Sequence, residues 1–205
     1  HRHKYKRLVV VHNTDIVIEG FPRSANTFAV LAFQNAQNTK PVIAHHLHAQ
    51  AQFILAKKYN VPSIAILREP IEAISSLINR DNNINVSQAV QRYIDFYRLV
   101  LQMKEDIVIA KFTTVVSDFS KIIAICNNKF NCDFELPSDS EKEKVKLFSK
   151  ISQLNSEQEK GKISMIAIPH KSKEDSKASY RLKVQNCALL CEAQVIFDKL
   201  LKYSH

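Results

Sequence analysis

The sequence IVIEGFPRSANTF, residues 16–28, joins a short apolar run to a cationic turn and then to a second apolar segment. The first run ends at Gly20, and the second segment continues with helical spacing. This order predicts a strand, an anion-binding turn and a helix, because the first N–H groups of a helix lack partners and lie at the positive end of its dipole. Arg23 adds a fixed positive charge, and Ser24 and Thr27 add hydroxyl donors.

The turn has the length of a P-loop but a different chemistry. Against the pattern G-x-x-x-x-G-K-[ST], Gly20 and Thr27 match. Ala25 replaces the second glycine, and Asn26 replaces the lysine that a nucleotide triphosphatase places on the β- and γ-phosphates. The other predicted strands do not end in the aspartate that would hold Mg²⁺ in such an enzyme. The turn is therefore expected to bind a phosphate-like group without a metal ion.

Length and composition indicate one soluble globular domain. The chain has 205 residues, of which 45% are hydrophobic and 24% charged, and its formal charge of +9 favours anionic ligands. No signal peptide or membrane-spanning apolar run is visible, and the four cysteines have no zinc-site spacing. These features predict a cytoplasmic protein, with residues 1–12 peripheral to the domain.

Segments with strand and helix patterns alternate along the chain. They predict an α/β fold: a single domain with a mostly parallel central sheet, helices on both faces and a P-loop-like strand-turn-helix. The charged segment at residues 136–162 is a candidate lid or insertion. The predicted strands are at about 15–20, 41–44, 61–67, 107–112 and 163–168, and the predicted helices at about 24–38, 49–58, 70–79, 86–104, 114–130 and 171–202.

Ligands of parallel sheets gather at the carboxyl ends of the strands. The predicted sheet brings four stretches to that edge: the cationic turn at 23–27, the histidines at 45–48, Arg68 and residues 112–113.

These residues resemble the sulfotransferase family that uses 3′-phosphoadenosine 5′-phosphosulfate (PAPS). The family's loop for the 5′-phosphosulfate reads Pro-Lys/Arg-Ser-Gly-Thr-Thr followed by an aromatic residue, and residues 22–28 match it, with Ala25 in place of the glycine and Asn26 in place of a threonine. Its second motif is an arginine at the end of a strand, a proline two residues later and a serine eight residues after the arginine. Arg68, Pro70 and Ser76 match that motif. The resemblance covers residues 15–112 and is much weaker beyond them.

The resemblance implies a role for each matched residue. The 5′-phosphosulfate would be held by Arg23, Ser24, Ala25, Asn26 and Thr27, and Phe28 would stack near the adenine. Arg68 and Ser76 would bind the 3′-phosphate. The family's base is often a histidine in a pattern like Lys-Thr-His-Leu, and its position corresponds to His46, with His45 and His48 as competitors.

The function predicted on this basis is transfer of a sulfuryl group from PAPS to a hydroxyl of a carbohydrate, lipid or small metabolite. PAP (3′,5′-adenosine diphosphate) would be the product, no metal would be required, and no specific nucleic acid would bind. A P-loop-type nucleotide or metabolite kinase and a non-enzymatic anion-binding module are the alternatives. The acceptor and the oligomeric state stay open at this point.

Overall fold

The computed structural model of the protein describes residues 8–138, 140–158 and 171–205, with helical backbone only at 154–158 and 171–177. The strands in these ranges are β1 (Ile16–Gly20), β2 (Ile43–His45), β3 (Ser63–Leu67) and β4 (Val108–Lys111). The helices are α1 (Asn26–Ala36), α2 (Ala51–Tyr59), α3 (Pro70–Arg80), α4 (Val86–Gln102), α5 (Phe112–Ser117), α6 (Phe119–Phe130), α7 (Glu141–Gln158), α8 (Lys171–Gln185) and α9 (Leu190–Leu201).

The strands form one parallel sheet in the order β2-β1-β3-β4. In its register Ile18 pairs with His45, Gly20 with Ile66, and Leu67 with Lys111. The predicted α/β fold with a parallel central sheet is therefore confirmed. Because all carboxyl ends lie at one edge, the connections that follow β1, β2, β3 and β4 meet there.

Alternating strand residues enter two separate hydrophobic cores, one on each face of the sheet. The core that contains Ile16 and Ile18 packs against α1, α6 and α7. The core that contains Val17 packs against α2, α3, α4 and α9. Glu19 follows the same alternation as Val17, so a carboxylate lies on a buried face of the sheet.

Two predicted helices are each divided. The helix predicted at about 114–130 is α5 and α6, because Asp118 leaves the helical conformation (φ −150°) and its carboxylate accepts from Lys121 N at the start of α6. The helix predicted at 171–202 is α8 and α9, separated at residues 186–189. The strand predicted at 163–168 and the leading segment 1–7 lie outside the described residues.

The described part of the candidate lid is mainly α7, which packs against α1. Leu147 and Ile151 are buried in the core on that side, and the rings of Phe148 and Phe28 lie 5.4 Å apart. A lid role for residues 136–162 stays a prediction.

Within the described ranges, none of the helices combines the length and apolar character that a membrane crossing requires.

Candidate active site

The cationic turn follows β1 and is held in an unusual backbone conformation. We call residues 21–27 the anion loop. Arg23 (φ 70°) and Ala25 (φ 63°) both adopt left-handed conformations, each of which costs an L-residue roughly 1–2 kcal/mol. Ala25 is also the residue before α1, and its methyl group cannot accept from the first N–H groups of that helix. Those groups and the positive end of the helix dipole are therefore available to an anion.

The anion loop is braced from beneath by buried polar side chains. Asn26 Nδ2 donates to Phe21 O (3.1 Å), so its amide closes the loop from within. Tyr97 donates its hydroxyl to Ile66 O (2.6 Å) and accepts from Phe21 N (3.4 Å), which ties the loop to the end of β3. Ser24 is also buried, whereas Arg23 is partly exposed. These braces explain how two non-glycine residues are held in left-handed conformations.

Arg23, Arg68 and Ser76 meet, although they are far apart in the sequence. Arg23 Nε donates to Ser76 Oγ (3.2 Å), and the guanidinium of Arg68 donates to the backbone oxygen of Arg23. The two cationic residues are therefore adjacent at the carboxyl ends of β1 and β3.

Local sequence explains why α3 presents Ser76 to the anion loop. Pro70 is the first residue of α3, and the Glu69 carboxylate accepts from Ile71 N (3.1 Å) and Glu72 N (2.7 Å). This cap fixes the start of the helix directly after Arg68. Ser76 lies nearly two turns further, on the face that contacts the anion loop.

The Arg68 guanidinium is largely buried among charged and aromatic groups. It lies 4.4 Å from the centre of the Phe112 ring, and Nη2 is 3.7 Å from Glu72 Oε2. Arg181 of α8 donates from Nε to the other oxygen of Glu72 (2.6 Å). Burial lowers the pKa of Arg68, and Glu72 opposes that effect. Arg181 is a cationic neighbour that the sequence analysis missed, because it lies in the part where the resemblance fades.

The three histidines lie at the end of β2 and in the tight turn after it, beside the anion loop. We call residues 45–48 the histidine turn. His46 (φ 59°) and His48 (φ 50°) both have left-handed backbones. His46 Nε2 lies 3.0 Å from Thr27 Oγ1, and His46 Nδ1 lies 2.5 Å from His45 Nδ1. His48 Nδ1 lies 2.8 Å from Gly20 O.

Burial favours the uncharged form of the three rings in the histidine turn. Burial, with further contributions from His45, His48 and Arg80, lowers the pKa of His46 to about 3. Burial also lowers the pKa of His45 and of His48. A neutral imidazole has one nitrogen that can accept a proton, which is the state that a general base requires.

Glu19 underlies the histidine turn, and the sequence analysis missed it. Its side chain is fully buried (0% exposed), and it accepts from Leu47 N (2.8 Å) and His48 N (3.2 Å). Gln52 Nε2 is 3.5 Å away. Burial raises the pKa of Glu19 to about 7, although the backbone hydrogen bonds oppose that rise. The signal that could have identified it is a lone acidic residue inside an apolar strand.

Phe28 points into the core rather than across the open loop. It is 6% exposed and contacts Phe148, at one side of a cavity of about 220 Å³ between α1 and α7. Its predicted stacking with an adenine stays a prediction.

Across the ranges that the structure describes, no group of three or more histidine, cysteine or acidic side chains is placed to hold a metal ion.

Comparisons with known proteins give a distant likeness to a solved structure. No family model and no curated protein matches the sequence. The crystal structure of mouse sulfotransferase SULT7A1 complexed with PAP is similar over 94% of this chain and 92% of that chain, with 12% sequence identity and a TM-score of 0.49. So distant a likeness leaves function to be argued from the site of this chain.

Proposed function

We propose that this protein is a sulfotransferase that moves the sulfuryl group of PAPS to an acceptor hydroxyl. The observation that carries the proposal is the contact between Arg23, Arg68 and Ser76 beside the N-terminus of α1. Two adjacent cationic anchors fit a ligand that carries phosphate at two positions, since guanidinium groups pair strongly with phosphate oxygens.

Each anchor has a distinct task in this proposal. The N–H groups at the start of α1, with Arg23 and Thr27, hold the 5′-phosphosulfate. Arg68 and Ser76 hold the 3′-phosphate, which lies at the second end of the same nucleotide. Arg68 has its orientation fixed by Glu72 and the Phe112 ring, so little side-chain entropy is lost when it binds.

Sulfuryl transfer needs positioning and charge stabilisation more than covalent help from the protein, by analogy with phosphoryl transfer. The acceptor oxygen attacks sulfur in line, and the bond from sulfur to the bridging oxygen breaks with its electron pair left on the phosphate. Arg23 and the α1 dipole stabilise that developing charge, and loss of such a stabiliser typically costs about 10²–10³-fold in rate. The histidine turn supplies the base that removes the acceptor proton.

Nucleotide binding with and without the 3′-phosphate tests the proposal. Isothermal titration should show PAP binding more tightly than 5′-AMP, in the absence of divalent metal. Arg68→Ala should weaken PAP by about 10–100-fold, the range expected for a hydrogen bond to a charged group, and should weaken 5′-AMP far less. Arg92→Ala, at an exposed arginine of α4, is the matched control.

The competing outcomes are distinct. An equal loss of PAP and 5′-AMP in Arg68→Ala would remove the 3′-phosphate role from Arg68. Tighter binding of ATP with Mg²⁺ than of PAP would favour a kinase, and binding of anions without discrimination would favour an anion-binding module.

A further inference from the structure

His48 is the histidine of the turn whose ring is fixed with one nitrogen against the protein. Its Nδ1 is 2.8 Å from Gly20 O, a group that only accepts, so Nδ1 carries the proton. The lone pair is then on Nε2, at the opposite edge of the ring. The side chain is 26% exposed, and its Nδ1 edge faces the end of β1.

Glu19 places a carboxylate beside that same Nδ1. Glu19 Oε2 lies 3.6 Å from His48 Nδ1. The carboxylate cannot turn away, because Leu47 N and His48 N each donate to one of its oxygens. Consecutive backbone N–H groups of this kind form a concave anion site. Gln52 closes the other side, itself held by Leu8 O (2.7 Å) and Val10 N (3.0 Å).

The other two histidines have no such arrangement. Both ring nitrogens of His46 already face protein groups, Thr27 Oγ1 and His45 Nδ1. Only one proton fits between the Nδ1 atoms of His45 and His46, which lie 2.5 Å apart. A positive charge on either ring is therefore opposed by the neighbouring imidazole rather than stabilised by a carboxylate.

We propose that His48 is the catalytic base of the transfer and that Glu19 is its positioning carboxylate. The inference rests on the proposed function and changes the base from His46, the position the sequence favours. As the acceptor oxygen bonds to sulfur, its proton passes to His48 Nε2, and the bridging S–O electron pair stays on PAP. Glu19 stabilises the imidazolium until the proton leaves to solvent, and His46 orients Thr27 at the phosphosulfate.

The charged groups around the pair are consistent with this assignment. Arg80 of α3 and the neutral rings of His45 and His46 are the other titratable groups that act on this site. Arg80 disfavours a positive His48, and the hydrogen bond to Gly20 O opposes that effect. Burial raises the pKa of Glu19 to about 7, so its carboxylate form prevails at about pH 8.

A nucleotide-free experiment tests the pair itself. Long-range ¹H–¹⁵N spectra of the histidine rings should show His48, assigned with His48→Gln, in the Nδ1–H form. Its resonances should shift through a step near the pKa of Glu19 as the pair takes up one proton, and Glu19→Gln should remove that step. Glu141→Gln, at a side chain that is 90% exposed, should not. An Nε2–H form in the unmodified protein, or an unchanged step in Glu19→Gln, would overturn the pairing.

A second experiment tests catalysis with PAPS as the donor and water as the acceptor, read out as PAP release at about pH 8. His48→Gln should lower the rate by about 10²–10⁴-fold, the typical contribution of a general base, with PAP affinity retained. Glu19→Gln should lower the rate less, and His46→Gln should weaken PAP through Thr27. His12→Gln, at an exposed histidine outside the turn, is the control.

The outcomes separate the two proposals. A larger rate loss in His46→Gln than in His48→Gln would return the base to His46 and leave the sulfotransferase proposal intact. If the unmodified protein binds PAP, and the His48→Gln variant still converts PAPS to PAP at the normal rate, His48 is not the base. If the unmodified protein neither binds PAP nor consumes PAPS, both proposals fall, and the ring spectra still decide whether Glu19 and His48 are paired.

Discussion

The anion loop and the histidine turn lie side by side at one edge of the sheet, yet they are built in opposite ways. The loop presents permanent charge: Arg23, its neighbour Arg68 and the start of α1. The turn presents neutral rings above one buried carboxylate, and His46 and Thr27 join the two regions. The proposed transfer needs both, since a cationic histidine would bind the anion but could not act as a base.

The two regions also differ in how their charge responds to pH. Arg23 and Arg68 keep their charge throughout the ordinary pH range. Glu19 and the histidines change charge near neutrality or below it, because burial favours their uncharged forms. It raises the pKa of Glu19 and lowers the pKa of His46. We therefore expect pH to act on the turn while leaving the loop unchanged.

The largest expected effect is the pH dependence of stability that Glu19 produces. Burial raises its pKa from 4.5 to about 7, so between those values the folded protein binds more protons than the unfolded chain. Its contribution therefore makes the free energy of unfolding fall as pH rises through that window, by about 3 kcal/mol in total. Urea unfolding of the unmodified protein and Glu19→Gln across this range measures the difference.

The histidines act with the opposite sign, so the comparison with Glu19→Gln is essential. His46 has a pKa of about 3 instead of 6.5, so the folded protein binds fewer protons than the unfolded chain, and this contribution makes stability rise with pH between those values. Subtracting the two unfolding series removes the contribution of every histidine that titrates independently of Glu19. If the free energy of unfolding depends on pH in the same way in both proteins, Glu19 has an ordinary pKa.

Gly20 is the residue where the two regions meet. Its substitution by alanine is expected to have the next largest effect. A Cβ at this position would lie 2.8 Å from Ile66 O and 3.0 Å from Asn26 Oδ1. Ile66 O also accepts from Tyr97, and Gly20 O faces His48 Nδ1, so a shift would disturb both regions. Gly20→Ala should lower the free energy of unfolding by about 1–3 kcal/mol, the usual range for overpacking.

Amide spectra then show how far the disturbance spreads. We expect Gly20→Ala to shift resonances in both the anion loop and the histidine turn. A variant as stable as the unmodified protein, with shifts limited to the loop, would mean that β1 and β3 leave more room at their ends than their register indicates.

The sequence predicted the anion loop better than the histidine turn for a physical reason. A strand, a cationic turn and a helix start are local features, and the resemblance connected Arg68 and Ser76 to them. The support of the turn is non-local: Glu19 meets backbone N–H groups that are 28 and 29 residues away. Hydrophobic periodicity also hides Glu19, because one acidic residue does not change the apolar character of its strand.

The divided helices show that hydrophobic periodicity can also mislead within a single segment. Asp118 is a good helix cap, but its neighbours continue the apolar pattern across it, so periodicity alone joined α5 to α6. The left-handed conformation of Arg23 could not be predicted from the sequence either, since arginine has no preference for it. It is held by the hydrogen bond from Arg68 and by the buried polar side chains that support the loop. Contacts rather than propensity determine these features.

The smallest expected effect concerns Ala25 and tests whether the loop really stores strain. At φ 63° and ψ 23°, alanine is disfavoured, whereas glycine adopts this conformation readily. Ala25→Gly should raise the free energy of unfolding by up to about 1 kcal/mol, since relief of strain exceeds the entropy that glycine adds to the unfolded chain. Urea unfolding gives the value.

Ala32→Gly is the matched control, because the same substitution inside α1 lacks any strain to relieve. It should lower stability by about 1 kcal/mol, so the two variants are expected to differ in sign. If both destabilise equally, Ala25 is not held in a left-handed conformation, and the loop is not preorganised before an anion binds. A contrast in sign would instead mean that the loop keeps alanine at a position where glycine is more stable, which limits the motion of the N–H groups at the start of α1.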